Sequence, residues 1–100
     1  MRLVYSSDAV ADLGRLRQFI ATHDPDAAAR IAADLKTRIE GLCAFPSMGR
    51  KVESFPAAEV RDFFFGSYSV RYLVRGDLLV VLRVWHRLED GTGGAGQRNP

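Results

Sequence analysis

Cysteine occurs once, at Cys43, so no internal disulfide can form and packing alone must hold the fold. Histidine occurs twice, at His23 and His86. Two distant histidines and one helix-end cysteine supply no recognisable metal-ligand spacing, so no metal and no other cofactor is expected. Lysine is nearly missing: Lys36 and Lys51 are the only two, and every other base is arginine. The net charge of +2 permits an acidic partner without establishing one. No 18 apolar residues run together, and residues 1–20 carry Asp8 and Asp12 in place of an apolar signal segment. Neither a membrane span nor a signal peptide is expected, and the chain reads as cytoplasmic. No nucleophile elbow accompanies either histidine, and no internal repeat is present. Glycines between Gly91 and Gly96 do not lead from a strand into a helix, as a phosphate loop would, so residues 91–100 read as a flexible tail.

What is present suits one domain, residues 1–90. A chain of 100 residues with 47% hydrophobic content can bury one core, roughly 60 to 70% of its unfolded surface. The organising stretch is Tyr68 to Arg87. Gly66-Ser67 and Gly76-Asp77 are two-residue hairpin signals between β-branched and aromatic runs, which predicts three antiparallel strands with Phe65 opposite Tyr68 and Arg75 opposite Leu78. Strict alternation then puts Phe63, Phe65, Tyr68, Val70, Tyr72, Val74, Leu79 and Val81 on one face, with Arg61, Arg83, Trp85 and Arg87 in the same parity. Val60, Asp62, Phe64, Ser69, Arg71, Leu73, Val80, Leu82, Val84 and His86 fall on the other. A last strand apolar on both sides requires cover on both faces.

Upstream, Arg2 to Tyr5 is a short strand that adds to this sheet, and either Ser6 or Ser7 can cap the helix that follows. Val10, Leu13, Leu16 and Ile20 form its apolar stripe, with Asp12, Arg15 and Gln18 on the polar back and Gly14 offering a close approach. Asp24 caps a second helix with Pro25 in its first turn, running to about Cys43 through Ala28, Ile31, Leu35, Ile39 and Leu42. The turn between them is so short that the two must form an antiparallel hairpin. The predicted class is α+β, in the order β-α-α-β-β-β, with the hairpin on one face of an antiparallel sheet. The aromatic-rich face is the one assigned to the helices. Residues 44–58 read as a connection without periodicity.

Cations and rings converge on the sheet: Arg61, Arg71, Arg83, His86 and Arg87 with Tyr68, Tyr72 and Trp85. Such groups can bind phosphate and stack bases, and a histidine can shuttle a proton in RNA cleavage. The ordinary alternative pairs the arginines with Glu59, Asp62 and Glu89 and places the aromatics in the core.

The element order resembles the ParE/RelE superfamily of type II toxins, the ParE branch above all. So do Asp24-Pro25-Asp26-Ala27-Ala28, the stretch Leu42 to Arg50, the Arg61 strand, Tyr68 to Val74 and Leu82 to Arg87. The resemblance covers about Leu3 to Asp90. It implies a cytoplasmic toxin, of the kind linked to plasmid stabilisation, silenced by a ParD-like antitoxin in a hetero-oligomer, with DNA reached only through the antitoxin. ParE toxins poison DNA gyrase by binding; RelE toxins cut messenger RNA on the ribosome with several lysines and arginines and a C-terminal tyrosine. Here Ser69 replaces an arginine of that set, no lysine follows Lys51, and no tyrosine follows Tyr72. The expectation is therefore a non-enzymatic gyrase inhibitor, with Leu73, Val80, Leu82 and Val84 under the antitoxin and Arg61, Arg83, Trp85, His86 and Arg87 facing the target. The alternative is a ribosome-dependent endoribonuclease using Arg71, Arg83, His86 and Arg87, and a third is a non-toxic descendant that only forms the antitoxin complex.

Overall fold

The computed structural model describes residues 1–87; the tail expected at 91–100 lies outside them. Strand β1 (Arg2–Tyr5) leads into helix α1 (Ser7–His23) and helix α2 (Pro25–Gly41), then into strands β2 (Arg50–Lys51), β3 (Glu59–Phe65), β4 (Tyr68–Arg75) and β5 (Leu78–His86). The sheet order is β1-β5-β4-β3-β2. Its three-stranded meander is antiparallel as expected, but β1 runs parallel to β5, so the sheet is mixed. The two-residue Arg50–Lys51 strand was not foreseen. Nothing in its sequence alternates over so short a span.

Local chemistry starts and stops each element. Ser6 caps α1, its side chain accepting from the Ala9 N–H at 3.0 Å. Asp24 ends one helix and begins the next: its N–H donates to the Ile20 carbonyl at 2.7 Å while its carboxylate accepts from the Ala27 N–H at 3.2 Å. Both hairpins close with the expected register, and Gly66 and Gly76 take φ of +58° and +55° while no other described residue has positive φ. A positive φ at the first loop position alone matches a type II′ turn, which only glycine enters without strain.

The helical hairpin covers the aromatic-rich face. Leu16, Ile20, Leu35, Ile39 and Leu42 pack on Tyr68, Val70, Tyr72, Leu79 and Val81. The stripe of α1 differs from the expected one by a rotation. Ala9 and Asp12 point inward with Leu16 and Ile20, while Val10 is 59% exposed. Gly14 meets no neighbour within 4 Å, so the close approach expected there does not occur.

The largest departure lies in β5. The ladder with β4 shifts register between Arg71 and Tyr72: Tyr72 pairs with Val81, but Arg71 pairs with Arg83, leaving Leu82 as an extra residue. One inserted residue exchanges the two faces for everything beyond it. Val84 therefore joins the core at 0% exposure and His86 turns to the helix side, against Phe19 and Tyr68. Arg83 and Trp85 move to the open face opposite Arg71 and Ser69. The strict alternation expected from the hairpins is wrong after Val81. Its own implication, arginines at 83 and 87 beneath an apolar hairpin, was the signal of a bulge.

Candidate interaction face and its arginine clamps

β1 pairs with β5 only from Leu78 to Val81, so the outer edge of β5 from Leu82 onward has no strand beside it among the described residues. Unpaired main-chain groups there would template aggregation or cost about 1–3 kcal/mol each if left buried. Helix α1 supplies side chains in place of a strand. The Ser6 hydroxyl donates to the Leu82 carbonyl at 2.9 Å, the Val84 N–H donates to Asp12 Oδ2 at 2.8 Å, and Arg15 Nη2 donates to the Val84 carbonyl at 3.3 Å. Asp12 is 2% exposed. Arg83 grips it with Nε to Oδ2 at 2.7 Å and Nη2 to Oδ1 at 3.0 Å, and Arg15 Nη1 adds a bond of 2.6 Å. Burial pushes this carboxyl's pKa up, but the hydrogen bonds from Arg83, Arg15 and the Val84 N–H outweigh it and hold the pKa below the ordinary aspartate value. The same hydrogen bond raises the pKa of Arg83. Asp12 was expected on the polar back of α1. A lone acid between apolar stripe positions gives no hint of a partner 71 residues away.

A second clamp sits one strand over. Arg71 donates Nε to Asp62 Oδ1 at 2.8 Å and Nη2 to Asp62 Oδ2 at 2.9 Å, which raises its pKa. Its guanidinium also lies 5.7 Å from the ring centroids of both Phe55 and Trp85. Arg61 is on the other face and is structural. It donates Nε to Glu59 at 2.9 Å and Nη1 to the Gly49 carbonyl at 2.7 Å, pinning the segment before β2. Tyr72 completes that anchor from the core, donating to the Pro46 carbonyl at 2.7 Å and accepting from the buried Gly49 N–H at 2.9 Å. A side chain at Gly49 would meet the Tyr72 hydroxyl at 2.8 Å and the Asp62 carbonyl oxygen at 2.9 Å, so only glycine fits.

The face away from the helices carries three bands defined by cross-strand register. Val4, Val80, Leu73 and Val60 form an apolar band. Arg83, Arg71, Asp62 and Arg50 form a charged one, and Trp85, Ser69 and Phe64 an aromatic one. Residues 52–58 fold over the end of the first band: Val52 N–H donates to the Val60 carbonyl at 2.8 Å, and Val60 is 2% exposed. Leu73, Val80 and Leu82 stay half-buried, and Phe64 is 59% exposed. The chain's own connection thus reaches this face from the β3 side as far as Phe55, whose ring lies 5.7 Å from the Arg71 guanidinium on β4. On the opposite side of the molecule a groove of about 340 Å³ separates the helices, lined by Leu13, Ala32 and Leu35 with Arg17 and Lys36 at its walls.

Of the residues expected at functional sites, Leu73, Val80, Arg71, Arg83 and Trp85 share the open face. Val84 is buried in the core, so it is unavailable to a partner, and Arg61 and His86 lie on the helix side. Arg87 is exposed and its N–H donates to the Ser67 carbonyl at 2.8 Å. Arg50 and Phe64, not expected at any site, belong to the same face. Among the described residues no group of three or more His, Cys, Asp or Glu could hold a metal ion, and no helix is long and apolar enough to cross a membrane.

Residues 3–91 match the ParE toxin of the type II toxin-antitoxin system parDE. The chain belongs to the ParE toxin family. It is a type II toxin-antitoxin toxin by that membership. Relatives of this ParE chain include Toxin RelE1 of Caulobacter vibrioides, 33% identical over 87 residues, which span 87% of this chain and 94% of the relative. Toxin RelE2 of the same organism is 33% identical over 86 residues, 85% and 93% of the two chains. The fold is similar to that of a chain in the chromosomal ParDE toxin-antitoxin system from P. aeruginosa, with a TM-score of 0.72 at 23% identity, covering 86% of this chain and 95% of that one. The α+β architecture of this ParE-family chain, a two-helix layer on a five-stranded mixed sheet, agrees with that neighbour.

Proposed function

We propose that this ParE-family toxin inhibits DNA gyrase by binding it, performs no chemistry of its own, and is silenced by a ParD-like antitoxin that covers the open sheet face. One observation carries the reading: the cations a nuclease would need are already paired with carboxylates or lie on opposite faces of the sheet. Arg71 and Arg83 are each bound by both oxygens of an aspartate, and His86 lies on the opposite side of the sheet, packed on Phe19 and Tyr68. Arginines already neutralised by carboxylates make a poor cradle for a scissile phosphate. Leu73 and Val80, half-buried on that face, leave apolar surface for a protein partner.

Purified chain is expected to inhibit supercoiling by gyrase, and its expression without antitoxin is expected to induce a DNA-damage response. The RelE naming of the two Caulobacter relatives favours a second reading, a ribosome-dependent endoribonuclease. Mapped messenger cuts, arrested translation and no effect on supercoiling would establish that reading and reject the first.

A further inference from the structure

We infer that the turn Phe45–Met48 is a contact surface for gyrase, taking a patch of that enzyme that is apolar at its centre and acidic at its rim. This rests on the proposed gyrase reading and gives it a place on the molecule that none of the residues expected to face the target occupies.

Beyond the end of α2 at Gly41, the chain closes a turn in which the Met48 N–H donates to the Phe45 carbonyl at 3.0 Å. Pro46 holds the second position, where its fixed φ favours closure. The ends of such a turn lie within about 7 Å of one another, so two large apolar side chains leave the chain close together. Both are turned outward, Phe45 64% and Met48 54% exposed. A surface loop that buries so little is ordinarily held loosely. This one is fixed from the helix side of the sheet. Tyr72 takes the Pro46 carbonyl and the Gly49 N–H, and Arg61 Nη1 donates to the Ser47 and Gly49 carbonyls at 3.3 and 2.7 Å. A buried tyrosine, a partly buried arginine and a position that only glycine fits all serve a segment whose own apolar side chains stay in water. Such rigidity counts in binding, because a contact ordered in advance loses less freedom on association. Phe45 is the stiff anchor and Met48 the adaptable one.

Arg50 and Lys51 follow directly, both exposed and in no ion pair among the described residues, with Glu53 the acid next in the chain. Two cations beside two apolar anchors suit a protein pocket rimmed by carboxylates. They fall short of the row of phosphates on a nucleic acid. Arg50 also stands in the charged band of the open face, so an antitoxin covering that face reaches the border of this surface. Silencing then has a steric route.

The test is supercoiling by purified gyrase at rising concentrations of the full chain and its variants. Phe45→Ser combined with Met48→Ser is expected to raise the concentration for half inhibition by about tenfold or more, and Lys51→Glu by about threefold. Phe64→Ser, which removes a comparably exposed ring from the open face, should inhibit as the parent does. Thermal melts keep a loss of fold distinct from a loss of contact, and Lys51→Glu, a change in an exposed edge strand, decides the matter should the double variant not fold. The inference is overturned if the double variant or, in that case, Lys51→Glu inhibits as the parent does, or if Phe64→Ser weakens inhibition as much. It is also overturned if the double variant turns a dimer of the free chain into a monomer, or if duplex DNA binds the free chain and not the double variant. A parent chain that leaves supercoiling untouched rejects the gyrase reading itself, whereas an inhibiting parent beside an equally potent double variant rejects this inference alone.

Discussion

Arg71 and Arg83 stand side by side in one cross-strand band, each held by two hydrogen bonds to an aspartate, yet the two clamps stabilise different things. Asp62 and Arg71 sit on neighbouring strands that are already zipped together, with side chains 17% and 25% exposed. Their pairing orients a guanidinium between Phe55 and Trp85 and adds little to the ladder beneath. Asp12 and Arg83 join a helix to a strand edge that has no strand beside it among the described residues, and Asp12 also takes the Val84 N–H. The same pair of residue types orients a partly buried guanidinium in one place and closes a sheet edge in the other. What differs is whether anything else satisfies the main chain nearby.

The largest effect should come from Asp12. Replacing it with Ala leaves the buried Val84 N–H unsatisfied, a cost of about 1–3 kcal/mol, and adds the loss of the carboxylate from Arg83 and Arg15, whose half-exposed charges solvent partly takes up. Denaturant melts check this, and a loss under 1 kcal/mol would erase the contrast between the clamps. Because the Asp12 pKa is lowered on folding, its contribution is present above the unfolded value of about 3.9 and is lost as pH falls through the lower folded value. Wild type should therefore lose stability on acidification below about pH 4 with a steeper slope than Asp12→Asn in the same melts.

Next in size is Tyr72→Phe, a control in which no charge is involved. It leaves the Gly49 N–H and the Pro46 carbonyl without the hydroxyl, at a cost of about 1–3 kcal/mol, and should speed amide exchange at Gly49 before any other part of the sheet. Smallest is Asp62→Ala, about 1 kcal/mol, since no main-chain group depends on Asp62 and the ladder beneath it is already paired. A loss matching that of Asp12→Ala would show that the face itself, and not the edge, depends on its ion pairs.

Much of this was legible in the residues. Ser6, Asp24 and Pro25 act within a few positions of themselves, so the helix starts could be read without knowing the fold. Gly66-Ser67 and Gly76-Asp77 close their hairpins for the same reason, and the parity from Phe63 to Val81 held. The site was legible in composition but not in placement. Leu73 and Val80 lie where alternation put them, whereas Val84, Trp85 and His86 are on the faces opposite to those expected because of a single extra residue at Leu82. Phe64 was put on the right face but, like Arg50, assigned to no site, because a phenylalanine in a strand and an arginine beside a loop are ordinary until their neighbours are known.

By itself the sequence determined every element but β2, their order, the two turn registers and the kind of core, because caps, glycine turns and apolar periodicity act over a few bonds. Only the tertiary structure decided that β1 lies parallel to β5, that α1 rotates to bring Asp12 inward, and that β5 bulges to send Val84 in and Arg83 out. Those outcomes share a physical cause. The edge of β5 past Val81 needed main-chain partners, and Ser6, Asp12 and Arg15 could supply them only once helix and strand were side by side.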